Sequence, residues 1–217
     1  MNQPPRIHPS AIVEPGVEIG EGTAVWDHAH LRAGARVGRG CIIGEKSYLA
    51  PGVVVGDLVK LNACVYLCAG VTLEEGCMVA AHTVFTNDLT PRATDPELTR
   101  LLDSGPGPST LRTTMRRGAT IGANATIGPG IELGAYCMVG MGSVVTRDVP
   151  AFGLVVGNPA RLVGLVDRRG RRIWRSEDGR LPADGTRIDC DHDGELIVSD
   201  GRVNWLAPDG TQPGGKA

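Results

Sequence analysis

A six-residue beat runs through most of this chain and restricts its fold more than any other feature. From Ile7 onward every sixth residue is apolar: Val13, Ile19, Val25, Leu31, Val37, Ile43, Leu49, Val55, Leu61, Leu67, Leu73, Val79 and Phe85. The residue four places after each rung is small or β-branched, from Ala11, Val17 and Thr23 through Cys41, Ser47 and Val59 to Cys77 and Thr83. Glycine often follows the rung directly, as at Gly20, Gly38, Gly44 and Gly56. Neither a helical nor a simple strand period produces this pattern. A three-sided coil does, because each hexad supplies one short strand and one turn, and three hexads close a circuit. The beat resumes at Ile121, Ile127, Leu133, Val139 and Val145, with Ala125, Ile131, Cys137 and Ser143 in the small position. These rungs make about six coils stacked about 4.8 Å apart, a prism about 30 Å tall. The same register accounts for two fragments that look like dinucleotide loops. Gly38-Arg39-Gly40 and Gly140-Met141-Gly142 fall at hexad turns and open no helix.

The composition agrees with such a column. Of 217 residues only 3 are Trp, 3 Tyr and 2 Phe, while 31 are Gly, so a core of large aromatics is excluded. Lys and Arg number 22 against 24 Asp and Glu, a balance that argues against a nucleic-acid surface. The start of the chain has no apolar run after its charge and no segment is long enough to span a membrane. The six cysteines include no CxxC pair, and without an export signal they read as reduced thiols of a cytoplasmic protein.

The beat breaks between Phe85 and Ile121, giving an expected excursion loop over residues 86–118 inside a domain spanning 1–165. Within it, residues 96–102 suit one short helical turn, which Gly105-Pro106-Gly107-Pro108 would end. A solenoid has no natural pocket, and a long loop projecting from it is the obvious way to build one. From about Val166 the composition changes to Trp174, Trp205 and four Asp-Gly pairs. Residues 166–217 read as a small antiparallel β module. Its hairpin lies over Ile197–Val203, and its last dozen residues are expected to be disordered.

The hexads, the interrupting loop and Gly157-Asn158-Pro159-Ala160-Arg161 resemble the hexapeptide-repeat, left-handed β-helix acyltransferases. A finer resemblance, over roughly residues 7–165, is to the nucleotide-linked 3-amino-sugar N-acetyltransferases. It rests on Val25-Trp26 with His30, Thr72-Leu73-Glu74-Glu75-Gly76, Phe85-Thr86-Asn87-Asp88 with Pro91-Arg92, and the run Gly118–Ile127. The resemblance implies acetyl-CoA as cosubstrate, a nucleotide-linked amino sugar as acceptor, and a homotrimer with sites between adjacent β-helices. It implies that Asn87 meets the acceptor amine or the acetyl carbonyl, and that Arg92 and His30 contact the substrate. The coils bearing Asn124 and Ser143 would line the pantetheine channel. Arg161, with Arg147 and Arg116 as equal candidates, would approach the phosphates. Two departures stand out. Ala80-Ala81-His82 replaces the family's Gly-Pro-Asn, and a ribbon of four thiols found in tailed relatives is represented only by Asp167, Arg169, Cys190 and Asp193. No metal is therefore expected.

Acetyl transfer to an amine needs an unprotonated nucleophile, alignment on the thioester and a stabilised oxyanion. A sugar amine loses its proton more easily than a hydroxyl, so a polar positioning group such as Asn87 can suffice. The loop contains no His, which favours an amine acceptor over a hydroxyl. If a side-chain base operates, His82 and Asp88 are the candidates. His30 falls in register with Tyr48 and Tyr66, a column that reads more readily as structural than as catalytic. Three readings stand beside this one: O-acylation, a non-catalytic scaffold, and a carbonic-anhydrase-like metal protein. For the last, His28 and His82 lie three coils apart, about 14 Å, too far to share an ion.

Overall fold

A computed structural model describes residues 3–103 and 105–209. Its regular elements are strands, apart from one 3-10 turn at Asp191–Asp193. The expected disorder of the last dozen residues falls mainly on 210–217, outside the described residues.

Two-residue strands wind into a parallel β-solenoid with three faces. The first face stacks Arg6–Ile7, Ala24–Val25, Ile42–Ile43, Lys60–Leu61, Met78–Val79, Thr120–Ile121 and Met138–Val139. The second stacks Ile12–Val13, His30–Leu31, Tyr48–Leu49, Tyr66–Leu67, Val84–Phe85, Thr126–Ile127 and Val144–Val145. The third stacks Glu18–Ile19, Arg36–Val37, Val54–Val55, Val71–Leu73, Thr113–Met115 and Glu132–Leu133. Every rung residue from Val25 onward is buried, with Leu31, Ile43, Leu61, Leu67 and Ile127 fully so, and together they form one continuous core. The all-β column read from the sequence is thus the fold.

The small position has a second use. Inside each coil the Thr23 hydroxyl donates to Gly38 O at 2.8 Å and accepts from Cys41 N at 3.0 Å, and Ser47 bridges Asn62 O and Val65 N in the same way. Cys41 and Cys77 direct their thiols at carbonyls of the next coil, each at 3.1 Å. Small polar groups there satisfy turn backbone that the strands leave unpaired. All six cysteines are free thiols. Glycine after a rung is explained by the stacking: a Cβ on Gly38 would lie 2.6 Å from the Gly56 carbonyl carbon.

Two features differ from the sequence reading. The solenoid resumes at Thr113–Met115, which pairs with Val71–Leu73, so the loop occupies residues 86–112 and ends one rung early. The short helical turn at 96–102 is absent. Asp95 instead accepts from Thr99 N at 2.8 Å and from the Thr99 hydroxyl at 2.7 Å, Leu98 takes φ 56°, and Thr94 bridges Leu101 as a tiny hairpin. The Asp side chain outcompetes the helix for those amides.

At the C-terminal end, Gly153–Gly157 joins the first face, Ala160–Val166 returns antiparallel to it, and Arg172–Arg175 adds one more strand. A separate sheet follows, made of Arg187–Asp189, Glu195–Ser199 and Arg202–Leu206. Asp200 and Gly201 both have positive φ, as the tight hairpin expected there requires. Phe152 enters the module's own core beside Leu165, Cys190, Leu196 and Val198, so the module is docked on the last coils. Asp167 is buried there, accepting from Arg169 N at 2.9 Å, from Arg171 N at 2.8 Å and from Arg171 Nε at 2.7 Å. Arg171 also reaches Asp191 at 2.8 Å. Burial alone would push the Asp167 carboxyl up, but these donors hold it below the usual carboxylate range.

Candidate active site on the second face

The second face carries the interruption, so its two edges and its outward side chains frame the candidate site. The edge shared with the first face is a column of residues in the left-handed conformation. His28, Lys46, Cys64, His82 and Asn124 have φ of 56–59°, and glycine takes over at Gly142. A positive φ turns the corner in two residues. His82 N donates to Ala63 O and Asn124 N to Ala81 O, both at 3.0 Å, which sets Asn124 one coil above His82. Both side chains are exposed.

Asn87 stands on the opposite edge, at the neck of the loop. Its Nδ2 donates to Ala69 O at 3.2 Å, and its own carbonyl accepts from Leu111 N at 3.2 Å, closing the neck. Thr86 anchors the same point through its amide and hydroxyl, both to Ile127 O. The Asn87 Oδ1 has no partner among the described residues. Five residues of extended chain, about 16 Å, separate His82 from Asn87. The strand Val84–Phe85 runs between them.

The remaining candidates divide by height and edge. Asp88 accepts from Thr90 N at 2.8 Å, which makes it the cap of the loop's first turn. Arg92 is exposed and, among the described residues, donates only to the Pro91 carbonyl. Arg147, two coils above Asn87 on the same edge, is exposed and makes no ion pair among the described residues. Arg161 is exposed just past the hairpin tip that adjoins Gly142 and Ser143, and donates to the Ala160 carbonyl. Three candidates lie elsewhere. Arg116 is on the third face's far corner, held by Glu74 at 2.8 Å and Glu132 at 2.7 Å, so it shares neither edge nor freedom with Arg147. Ser143 is fully buried and its hydroxyl accepts from Gly157 N, so its side chain does not reach the surface. His30 is three coils below Val84, about 14 Å, and is engaged there.

That engagement is a ladder of outward groups. His30 Nε2 meets Glu14 at 2.8 Å and sits edge-on to Tyr48, with ring centroids 5.5 Å apart. Arg32 donates to the Tyr48 hydroxyl at 2.7 Å and pairs with Glu14. The Ala33 amide, then His30, hold the Glu14 carboxyl below its usual range. Tyr48 in turn stacks on Tyr66, centroids 5.1 Å apart and planes within 7°. Sequence reasoning placed Tyr48 and Tyr66 in this column without weighing either as a site residue. Likewise it aligned His28 with His82 but passed over Lys46 and Cys64, which the same register puts between them. Burial pushes the thiols of Cys68 to about 11 and Cys77 to about 12, so neither is a nucleophile at neutral pH. No group of three or more His, Cys, Asp or Glu able to hold a metal exists among the described residues, and no helix is long and apolar enough to cross a membrane.

Two family profiles match the chain: the hexapeptide repeat of succinyl-transferase over residues 34–69, and the bacterial transferase hexapeptide (six repeats) over 112–147. These are hexapeptide repeats. Among curated proteins, a dTDP-3-amino-3,6-dideoxy-alpha-D-galactopyranose 3-N-acetyltransferase from Aneurinibacillus thermoaerophilus is 56% identical over 55 residues, 25% of this chain and 29% of that protein. Serine acetyltransferase 4 from Arabidopsis thaliana is 44% identical over 61 residues, 28% of this chain and 17% of that protein. The matches thus span less than a third of either relative. Among solved structures, the acetyltransferase domain of PglB from Neisseria gonorrhoeae in complex with acetyl coenzyme A gives a TM-score of 0.46 at 21% identity. It covers 74% of this chain and 58% of that one.

Proposed function

We propose that this hexapeptide-repeat protein transfers an acetyl group from acetyl-CoA to the amino group of a nucleotide-linked amino sugar, with a 3-amino sugar preferred. The observation that carries the reading is Asn87. It stands where the long loop interrupts the coil, is fixed through Nδ2, and its Oδ1 has no partner among the described residues, in a loop that contains no histidine. An amide acceptor so fixed can orient an acceptor amine without being a base. The amine nitrogen attacks the thioester carbonyl, the carbon–sulfur bond breaks, and the thiolate leaves as free coenzyme A after taking the amine's proton. Backbone N–H groups of the neighbouring coil supply oxyanion donors. Arg147 and Arg161, which make no ion pair among the described residues, lie toward one end of the second face and are suited to coenzyme phosphates, and Arg92 is suited to the nucleotide diphosphate. The identity of 56% with a 3-N-acetyltransferase over 55 residues supports the acceptor class.

His82 and Asn87 occupy opposite edges of one face, about 16 Å of chain apart. A site using both closes most simply between two copies, and a homotrimer is the proposed assembly. The serine acetyltransferase match favours one second reading, O-acetylation of a hydroxyl acceptor with His82 as base. A single assay separates the two. Thiol release from acetyl-CoA is followed with nucleotide-linked amino sugars and with the corresponding hydroxyl sugars and serine. Turnover confined to amino sugars supports the proposal, and turnover confined to hydroxyl acceptors overturns it.

A further inference from the structure

The ladder on the second face ends abruptly. Tyr48 is covered on both sides, edge-on by His30 and flat by Tyr66. Tyr66 is covered on one side only. The next outward residue is its strand partner Val84, followed by Thr126, and neither is long enough to cover a phenol ring. Tyr66 is accordingly 43% exposed and Val84 39% exposed, and the Tyr66 hydroxyl has no partner among the described residues, whereas Tyr48's is taken by Arg32. The result is a flat ring, held rigid from below, with a free upper face over a low aliphatic shelf.

Its position matters as much as its shape. Tyr66 belongs to the same coil as Ala69, the residue whose carbonyl fixes Asn87. Three residues of extended chain, about 10 Å, lie between the ring and that corner. A planar group resting on Tyr66 and an amine at Asn87 are therefore held apart by a gap that the ribose, diphosphate and hexose of a nucleotide-linked sugar can bridge.

We infer that Tyr66 is the stacking platform for the nucleobase of the acceptor, with Val84 as the shelf beside it, an assignment that rests on the proposed acceptor class. Stacking selects a planar π-face and is tolerant of which base it is, so the platform contributes affinity for nucleotides in general. Discrimination between bases falls to the free phenol hydroxyl, which can donate to or accept from a base edge.

The test is calorimetric titration of UDP, dTDP and GDP into the wild type, Tyr66→Leu, Tyr66→Phe and Val84→Phe, together with acetyl-CoA titration and the association state of each. Removing the ring is expected to weaken the preferred nucleoside diphosphate by about 5- to 100-fold. Val84→Phe, which fills the free face, is expected to do the same without touching Tyr66. Tyr66→Phe keeps the stack and is expected to stay within about 3-fold for that ligand while narrowing the preference among bases. Affinity for acetyl-CoA should be unchanged throughout. Nucleotide affinity within twofold of wild type in both Tyr66→Leu and Val84→Phe overturns the assignment. So does a loss confined to acetyl-CoA, or a change of association state with nucleotide affinity intact. Turnover of nucleotide-linked amino sugars by Tyr66→Leu with an unaltered KM would remove the platform and leave the proposed reaction standing. A wild type that binds none of the three nucleotides removes both.

Discussion

The coils up to Phe85 and the loop that follows them solve the same problem in opposite ways. In the coils each rung side chain from Val25 on is buried, and strand amides pair with carbonyls of the neighbouring coil, as Tyr48 N does with Val65 O at 2.8 Å. In the loop Leu89, Leu98 and Leu101 are exposed, and the chain is held by side chains acting on nearby backbone, Asp88 on Thr90 and Asp95 on Thr99. Stability resides in the repeated part, where one pattern recurs and adds up from coil to coil. The loop contributes little to it and is free to carry specificity. Asn87 sits at the junction, anchored by the first region and presented by the second.

Substitutions can break that contrast, the largest effects coming from the buried rungs. Leu61→Asp puts a carboxylate among Ile43 and Val79 with nothing to pair it, and should abolish folding, seen as loss of the β-sheet circular dichroism signal. Phe85→Ala, the last rung before the loop, should leave a cavity costing about 3–5 kcal/mol by denaturant unfolding. Asn87→Ala should lower kcat/KM by about 10²- to 10³-fold while costing only about 0.5–1.5 kcal/mol of stability, the worth of one hydrogen bond. Asp167→Asn should cost the C-terminal module about 1–3 kcal/mol, read from Trp174 and Trp205 fluorescence. Because the folded carboxyl lies below its unfolded value, its stabilisation is complete above about pH 4 and drains away as the pH falls through the folded value. The variant should therefore show a weaker acid transition than the wild type. Leu98→Asp, the same chemical change as at Leu61 but in the loop, should shift stability by less than about 0.5 kcal/mol. A large loss there would mean that the loop is packed against another surface, and would turn the comparison around.

How much was legible in the sequence follows the same division. The column was readable because its signal recurs: Val25, Ile43, Leu61 and Val79 stack on one another and had to be apolar for one reason. Met115 belongs to the same beat, six residues before Ile121, but Arg116 and Arg117 beside it disguised a rung as loop. The turn at Asp95 was misread because a run of Glu, Leu and Arg favours helix locally, whereas a single carboxylate closing on Thr99 does not show in such a pattern. Asn87 was located by resemblance rather than by period. Arg116 and Arg147 look equivalent as residues near a solenoid end, and only the partners Glu74 and Glu132 tell them apart. Tyr66 could have been found: it repeats Tyr48 one circuit later and is followed by a short valine where another ring would have continued the stack.

A structure of the protein with coenzyme A bound would bear most directly on the central claim, that the break in the coil creates the reaction site. The account predicts the thiol sulfur in contact range of Asn87, with the pantetheine running along the edges of the second face past the coil of Asn124 and the phosphates near Arg147 or Arg161. A cofactor bound against the third face, or with its sulfur remote from the neck of the loop, would contradict it.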